Sequence, residues 1–224
     1  MRRKKGKLLI YAGSMLIAAS CMLTVYNFYD NYKAKQSSKE ALAELSELLL
    51  EGAENDFEED LSATKVNTEN GLQVPEAVES IQIPDYITNP HKEMPVQSID
   101  GQDYIGILEI PSYELHLPII SEWSYRRLKI APCRYHGSAY TDDLVIAAHN
   151  YKSHFGNLQN LKESDTVIFT DMDGNIFHYQ VVEREILAPT DIQAMEAGDW
   201  DLTLFTCTIG GADRVTVRCD RTGR

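Results

Sequence analysis

From Leu8 to Tyr29 the chain has 22 residues without an Asp, Glu, Lys, Arg or His, and five cations (Arg2, Arg3, Lys4, Lys5, Lys7) stand directly before that run. As a helix such a stretch reaches roughly 30 Å, the hydrocarbon thickness of a bilayer. The leading cations predict a cytoplasmic N-terminus and everything after Asp30 outside. Two rivals share the pattern: a cleaved signal peptide, whose apolar region is normally shorter, and lipoprotein processing at Cys21, against which the continuing apolar residues Met22, Leu23 and Val25 argue. Every version leaves the remainder tethered at, or exported beyond, the membrane. The reading is a basic tail at 1–7, a transmembrane anchor at 8–29, an extracellular stalk or linker at 30–100 and a folded domain at 101–224, in a single-pass protein of the cell membrane.

Beyond the span, 16 bases face 34 acids, a net of −18. Nucleic acid is excluded as a partner, because phosphate contacts need cations. The four cysteines are Cys21, Cys133, Cys207 and Cys219. One lies in the apolar run, so at most one disulfide fits the exported part and one thiol is left over. No Cys/His cluster has metal-ligand spacing, and neither a metal nor another cofactor is expected.

Within the stalk, Ala34 to Glu51 is rich in helix formers, with Leu42, Leu45, Leu48 and Leu49 near one face: a helical spacer, or a short partner helix. Glu51 to Asn70 is acidic and polar and predicts disorder. Pro75, Pro84, Pro90 and Pro95 then punctuate an extended approach. From Asp103 onward short β-rich runs alternate with turns. Strands are predicted at Tyr104–Ile110, Leu117–Ile120, Leu144–Ala148, Thr166–Thr170, Ile176–Leu187, Leu202–Thr206 and Arg214–Arg218, with short helices at Ser124–Ile130 and Phe155–Leu161. Asp173-Gly174 marks a hairpin; the surrounding Asp171-Met-Asp173-Gly-Asn175 superficially suggests a calcium loop, but the glycine is misplaced and no glutamate closes it. Many short strands and few helices predict a mainly β fold, a closed or nearly closed barrel.

The residues that point to chemistry are at strand ends. Thr203-Leu-Phe-Thr-Cys207 is a β-rich run ending in a cysteine; a six-residue turn, Thr208 to Asp213, then leads to Arg214 and another β-rich run. If the two strands are antiparallel with Cys207 opposite Arg214, opposed residue numbers sum to 421, and Arg218 falls opposite Thr203, roughly 13 Å along the strand. Arg214 is then the arginine beside the thiol, and Arg218 a weak understudy. His149 ends the apolar run Leu144-Val-Ile-Ala-Ala. His91, His116, His136, His154 and His178 compete with it, His136 and His154 as loop residues able to border a cleft. A buried, inert cysteine is the plain alternative, but strand ends and their loops are where scaffolds present reactive groups.

Taken in order, Ile105-Gly-Ile-Leu-Glu-Ile-Pro111, Leu117-Pro-Ile119, the strand ending in His149, Thr203–Cys207 and Arg214–Val217 resemble the sortase family of cell-wall cysteine transpeptidases. The resemblance implies the sortase β-barrel and His149, Cys207 and Arg214 as the catalytic three. It further implies an acyl donor with a C-terminal sorting signal of the LPxTG type, a Cys207 thioester, and an amine acceptor on a cell-wall precursor or a pilin. His149-Asn150 followed by Phe155-Gly-Asn-Leu158 looks like the class B pattern, whereas Pro132-Cys-Arg-Tyr-His-Gly-Ser138 looks more like classes C and D. The residues leave two other functions open: a membrane-tethered cysteine peptidase with water as acceptor, and a non-catalytic wall-binding module with an inert Cys207.

Overall fold

The computed structural model describes residues 2–63 and 83–223. Residues 64–82, which include Pro75 and the end of the acidic segment, lie outside the described residues. Nine strands follow two helical pieces: α1 (Arg2–Ala63), α2 (Asp85–Thr88), β1 (Gln97–Ile99), β2 (Gln102–Ile110), β3 (Leu115–Ile120), β4 (Cys133–His136), β5 (Leu144–Ala147), β6 (Thr166–Asp171), β7 (Ile176–Leu187), α3 (Ile192–Met195), β8 (Leu202–Cys207) and β9 (Arg214–Thr222). The sheet order is β1-β2-β3-β4-β5-β8-β9-β7-β6, and β6 pairs back onto β2. Eight strands therefore close into a barrel, with β1 hairpinned onto its rim.

Closure explains one glycine. Gly106 sits opposite Asp171 in the β2–β6 ladder with φ of +155°, and a Cβ there would lie 2.1 Å from the Thr170 carbonyl oxygen. Only a residue without a side chain lets β2 bend between β3 and β6 at this point. The barrel interior is apolar, built from alternate residues such as Ile105, Ile119, Ile146, Phe169, Tyr179, Leu204 and Val217. At the β6–β7 hairpin the fully buried Asp171 accepts hydrogen bonds from the backbone N–H groups of Asp173 and Asn175, from Asn175 Nδ2 and from the Tyr140 hydroxyl. These bonds brace a tight turn at Asp173-Gly174.

Seven of the observed strands coincide with the expected ones to within a few residues, and β7 matches at both ends. The short β1 and β4 were not among them. A 3-10 turn occupies Arg127–Lys129 within the expected helix at 124–130, and another, Leu158–Asn160, lies within 155–161.

The stalk departs further from expectation. The disorder predicted from Glu51 is replaced by helix as far as Ala63. Acidic composition removed the hydrophobic period, but Ala, Glu and Leu remain strong helix formers and extend an existing helix cheaply. The leucine face is neither solvent-bathed nor paired with another helix. Ala34, Ala41 and Leu45 are buried, and Ala41 and Leu45 pack with Ile99, Tyr104, Ile107 and Ile120 in a second apolar cluster outside the barrel lumen.

Candidate active site

Two ladders bring the candidate residues together. In the antiparallel β8–β9 pair, Cys207 is opposite Arg214 and Thr203 opposite Arg218, the register anticipated from the turn. In the parallel β5–β8 pair, Val145 is opposite Thr203 and Ala147 opposite Phe205, an offset of 58. The same offset continues past the strand end: Asn150 Nδ2 donates to the Thr208 carbonyl at 3.4 Å. It carries His149 to the level of Cys207. Two bonds pin this junction, Ala148 N–H to Phe205 O at 3.1 Å and Thr206 Oγ1 to Ala148 O at 2.8 Å. His149, Cys207 and Arg214 line one cavity of about 140 Å³.

The turn after Cys207 is closed by mutual bonds. Thr208 N–H donates to Asp213 O at 2.9 Å, and Asp213 N–H donates back to Thr208 Oγ1 at 3.0 Å. Gly210 and Gly211 adopt positive φ to complete it. Arg214 Nη1 donates to the Gly211 and Asp213 carbonyls at 3.3 and 3.1 Å. Its Nε and Nη2 have no hydrogen-bond partner among the described residues. One edge of the guanidinium is thus anchored to the turn, and the other donors remain for a ligand.

His149 is half-buried, stacks obliquely on Tyr151 with ring centroids 4.8 Å apart, and its Nε2 is buried with no hydrogen-bond partner. Burial lowers its pKa below the ordinary histidine value and the nearby Lys129 cation adds to this, with Asp30 opposing. The imidazole is therefore neutral at neutral pH. Of the other histidines, His136 is exposed on β4 and His154 is fully buried. His154 borders no cleft: its Nε2 lies 3.1 Å from Ser38 Oγ of α1, and burial, with His149 nearby, lowers its pKa to about 4. Its loop folds inward because α1 offers Ser38 as a partner, which a sequence reading without the helix docked cannot see.

The remaining cavity wall is apolar and largely aromatic. Tyr135 of β4 lies between Trp123 and Phe205, with centroids 5.3 and 5.2 Å away. Pro189, Ile192 and Met195, from the connection between β7 and β8, face them across the opening. Arg218 holds that connection. Only 1% exposed, it donates from Nε to Glu185 at 2.8 Å, from Nη1 to Met195 O and Thr203 Oγ1, and from Nη2 to Ala194 O at 2.5 Å. The understudy arginine is a structural clamp. Cys207 and Thr206 also line a second hollow, bordered by Asn150, Lys152, Asn157 and Gln159. The other two described thiols outside the apolar run, Cys133 and Cys219, are free and buried, and burial pushes both upward, Cys133 to about 12.

A closed β-barrel with a half-buried strand-end cysteine, flanked by an arginine on one neighbouring strand and a histidine at the end of the other, has the arrangement of a candidate cysteine acyl-transfer site. Residues 108–222 match the Sortase domain family model, and the chain belongs to the sortase family of cell-wall sorting transpeptidases. It is 23% identical over 186 residues to Sortase A of Bacillus anthracis, across 80% of this chain and 77% of that protein. Among solved structures it resembles Sortase C of Streptococcus pneumoniae, with a TM-score of 0.54 and 19% identity over 83% of this chain and 97% of that one. Sortase A of Corynebacterium diphtheriae, a lid mutant, gives a TM-score of 0.49 and 25% identity over 55% of this chain and 72% of that one.

Proposed function

We propose that the protein is a membrane-anchored cysteine transpeptidase in which Cys207 cleaves a C-terminal sorting signal of the LPxTG type. The released protein, held as a Cys207 thioester, is transferred to an amine of a cell-wall precursor or a pilin. The observation that carries this reading is the pair of ladders that sets Cys207 between Arg214 and His149. The anchor is α1, which is long and apolar enough to cross a membrane, its most apolar stretch being unburied with a mean hydropathy of 1.7; the barrel lies outside.

The chemistry follows from the groups present. A neutral His149 is able to accept the Cys207 proton as the sulfur bonds to the scissile carbonyl carbon. Arg214 donates hydrogen bonds from its planar guanidinium to the oxygen that becomes an oxyanion. The carbon–nitrogen bond then breaks, His149 returns its proton to the leaving amine, and a thioester remains. An incoming amine attacks that thioester and gives its proton to His149, which passes it to the departing sulfur and so restores the thiol. The apolar wall of Trp123, Tyr135 and Phe205 suits the aliphatic part of the signal. The second hollow, with Asn150, Lys152 and Gln159 among its lining residues, suits the amine.

The test is a sorting-signal peptide incubated with the protein and a free amine, with products read by mass spectrometry. Ligated peptide is the expected product, and Cys207→Ala abolishes it. Acid product alone replaces the transferase with a peptidase. No cleavage, together with a Cys207 that resists methanethiosulfonates, leaves a non-catalytic module. Arg214→Ala lowers the rate about 100- to 1000-fold, the usual loss for one oxyanion donor, and Arg214→Lys rescues little because the planar fork is gone.

A further inference from the structure

Away from the reaction centre a cleft of about 430 Å³ lies between α1 and the barrel, within the range of small-ligand sites. Its charge is sorted along the helix. Along α1, Asp30, to which Lys129 is bonded, and Lys33 come before Glu40 and Glu44, and Arg126 and Asp100 line the same cleft. In a chain of net charge −13, a group of three cations in one cleft stands against the background. Lys129 is bonded to Asp30 at 3.1 Å and lies 6.0 Å from the Tyr26 ring centroid. Lys33 and Arg126 have no carboxylate within ion-pair distance among the described residues.

The basic end is also the end nearest the membrane. Tyr26 is within the apolar run and Asp30 directly follows it, so contacts to both hold the Arg127–Lys129 turn at the bilayer surface. Lys33 lies four residues past Tyr29, roughly 6 Å along the helix axis. The headgroup layer is itself about 5–8 Å deep. Glu40 and Glu44 lie roughly 16 and 22 Å past Tyr29 on the same count, clear of the headgroups.

We infer that this cleft seats the phosphate of an anionic phospholipid from the leaflet where α1 emerges, with Lys33 and Arg126 as its cationic contacts. The inference rests on the anchored topology proposed above. Lipid phosphate then fixes the barrel against the bilayer in one orientation and keeps the His149 loop, which touches α1 through Tyr151 and Ser153, at a constant height above it.

Full-length protein in detergent, titrated with phosphatidylglycerol or phosphatidylcholine and followed by native mass spectrometry, tests the site. The expected result is retention of phosphatidylglycerol over phosphatidylcholine, with affinity reduced roughly tenfold or more in K33Q/R126Q, since each surface cation near an anionic membrane contributes about fivefold. Glu44→Gln, at the acidic end, leaves retention unchanged or slightly raises it. Because the N-terminal cations also attract anionic lipid, the difference between wild type and K33Q/R126Q is the deciding quantity. Equal retention by wild type and that variant overturns the proposal, as does equal retention of the two lipids. Carbonate extraction of the full-length protein from vesicles separates the causes. A chain that washes off lacks the anchor and takes this site down with it; a chain that stays, without lipid preference, overturns the site alone.

Discussion

His149 is tuned by its burial and by a neighbouring cation outside the candidate three. Burial and the Lys129 charge hold its pKa below the usual 6.5, with Asp30 acting the other way. A protonated imidazole is unable to take the Cys207 proton, so kcat/KM falls as pH drops through that depressed pKa. Lys129→Gln removes one lowering influence, so its acid limb moves to higher pH; an unmoved limb assigns the titration to another group. His154 bears on stability instead. Its folded pKa is about 4 against an ordinary value near 6.5. The unfolded chain binds the extra proton between those limits, so stability falls as pH drops from 6.5 to 4, by about 3 kcal/mol in all. Thermal melts across that range should show the loss in wild type and a flatter profile in His154→Gln. Cys133 and Cys219, with thiols raised by burial, should resist methanethiosulfonate under conditions that modify Cys207 completely.

At the scale of elements, one buried arginine shapes the cavity. Arg218 ties the α3 carbonyls to Thr203 and Glu185, so Arg218→Met frees the wall that carries Pro189, Ile192 and Met195. KM for the signal peptide should rise about tenfold with a smaller change in kcat, because the thiol and imidazole are held by other strands. Stability should fall by about 1–3 kcal/mol, the usual loss when buried acceptors, here the Ala194 and Met195 carbonyls and Thr203 Oγ1, are left without their donor. Parallel changes in kcat and KM would make Arg218 part of the chemistry instead. Much of this was legible beforehand. The alternation of Ile176–Leu187 and its Asp-Gly turn gave β7 both its ends, and one turn of known length set the Cys207–Arg214 register. The approach of His149 was not legible from spacing. It depends on a parallel crossover from β5 to β8, which local pattern leaves unspecified and which only family resemblance anticipated. Cys133-Arg-Tyr-His136 was overlooked as a strand because four mixed residues carry no clear period of two.

For the whole molecule, the part of α1 that follows its apolar stretch belongs to the folded body. Ala41 and Leu45 cover Ile99, Tyr104, Ile107 and Ile120, residues that a barrel cut at position 83 would leave bare. A chain beginning at Asp30 should therefore be more stable than one beginning at Ile83, which keeps Tyr86 and Met94, by about 3–5 kcal/mol, the burial of one leucine and two alanines with their partners. Equal melting temperatures would show the contact to be incidental. The sequence showed the leucine face but not its partner, since a face of that width fits a barrel flank as well as another helix. β9 adds a consequence for timing. It lies between β7 and β8, so a chain that emerges from its N-terminus has a gap where Arg214 belongs until β9 is in place. Until that last strand closes the wall, Cys207 lacks the arginine opposite it.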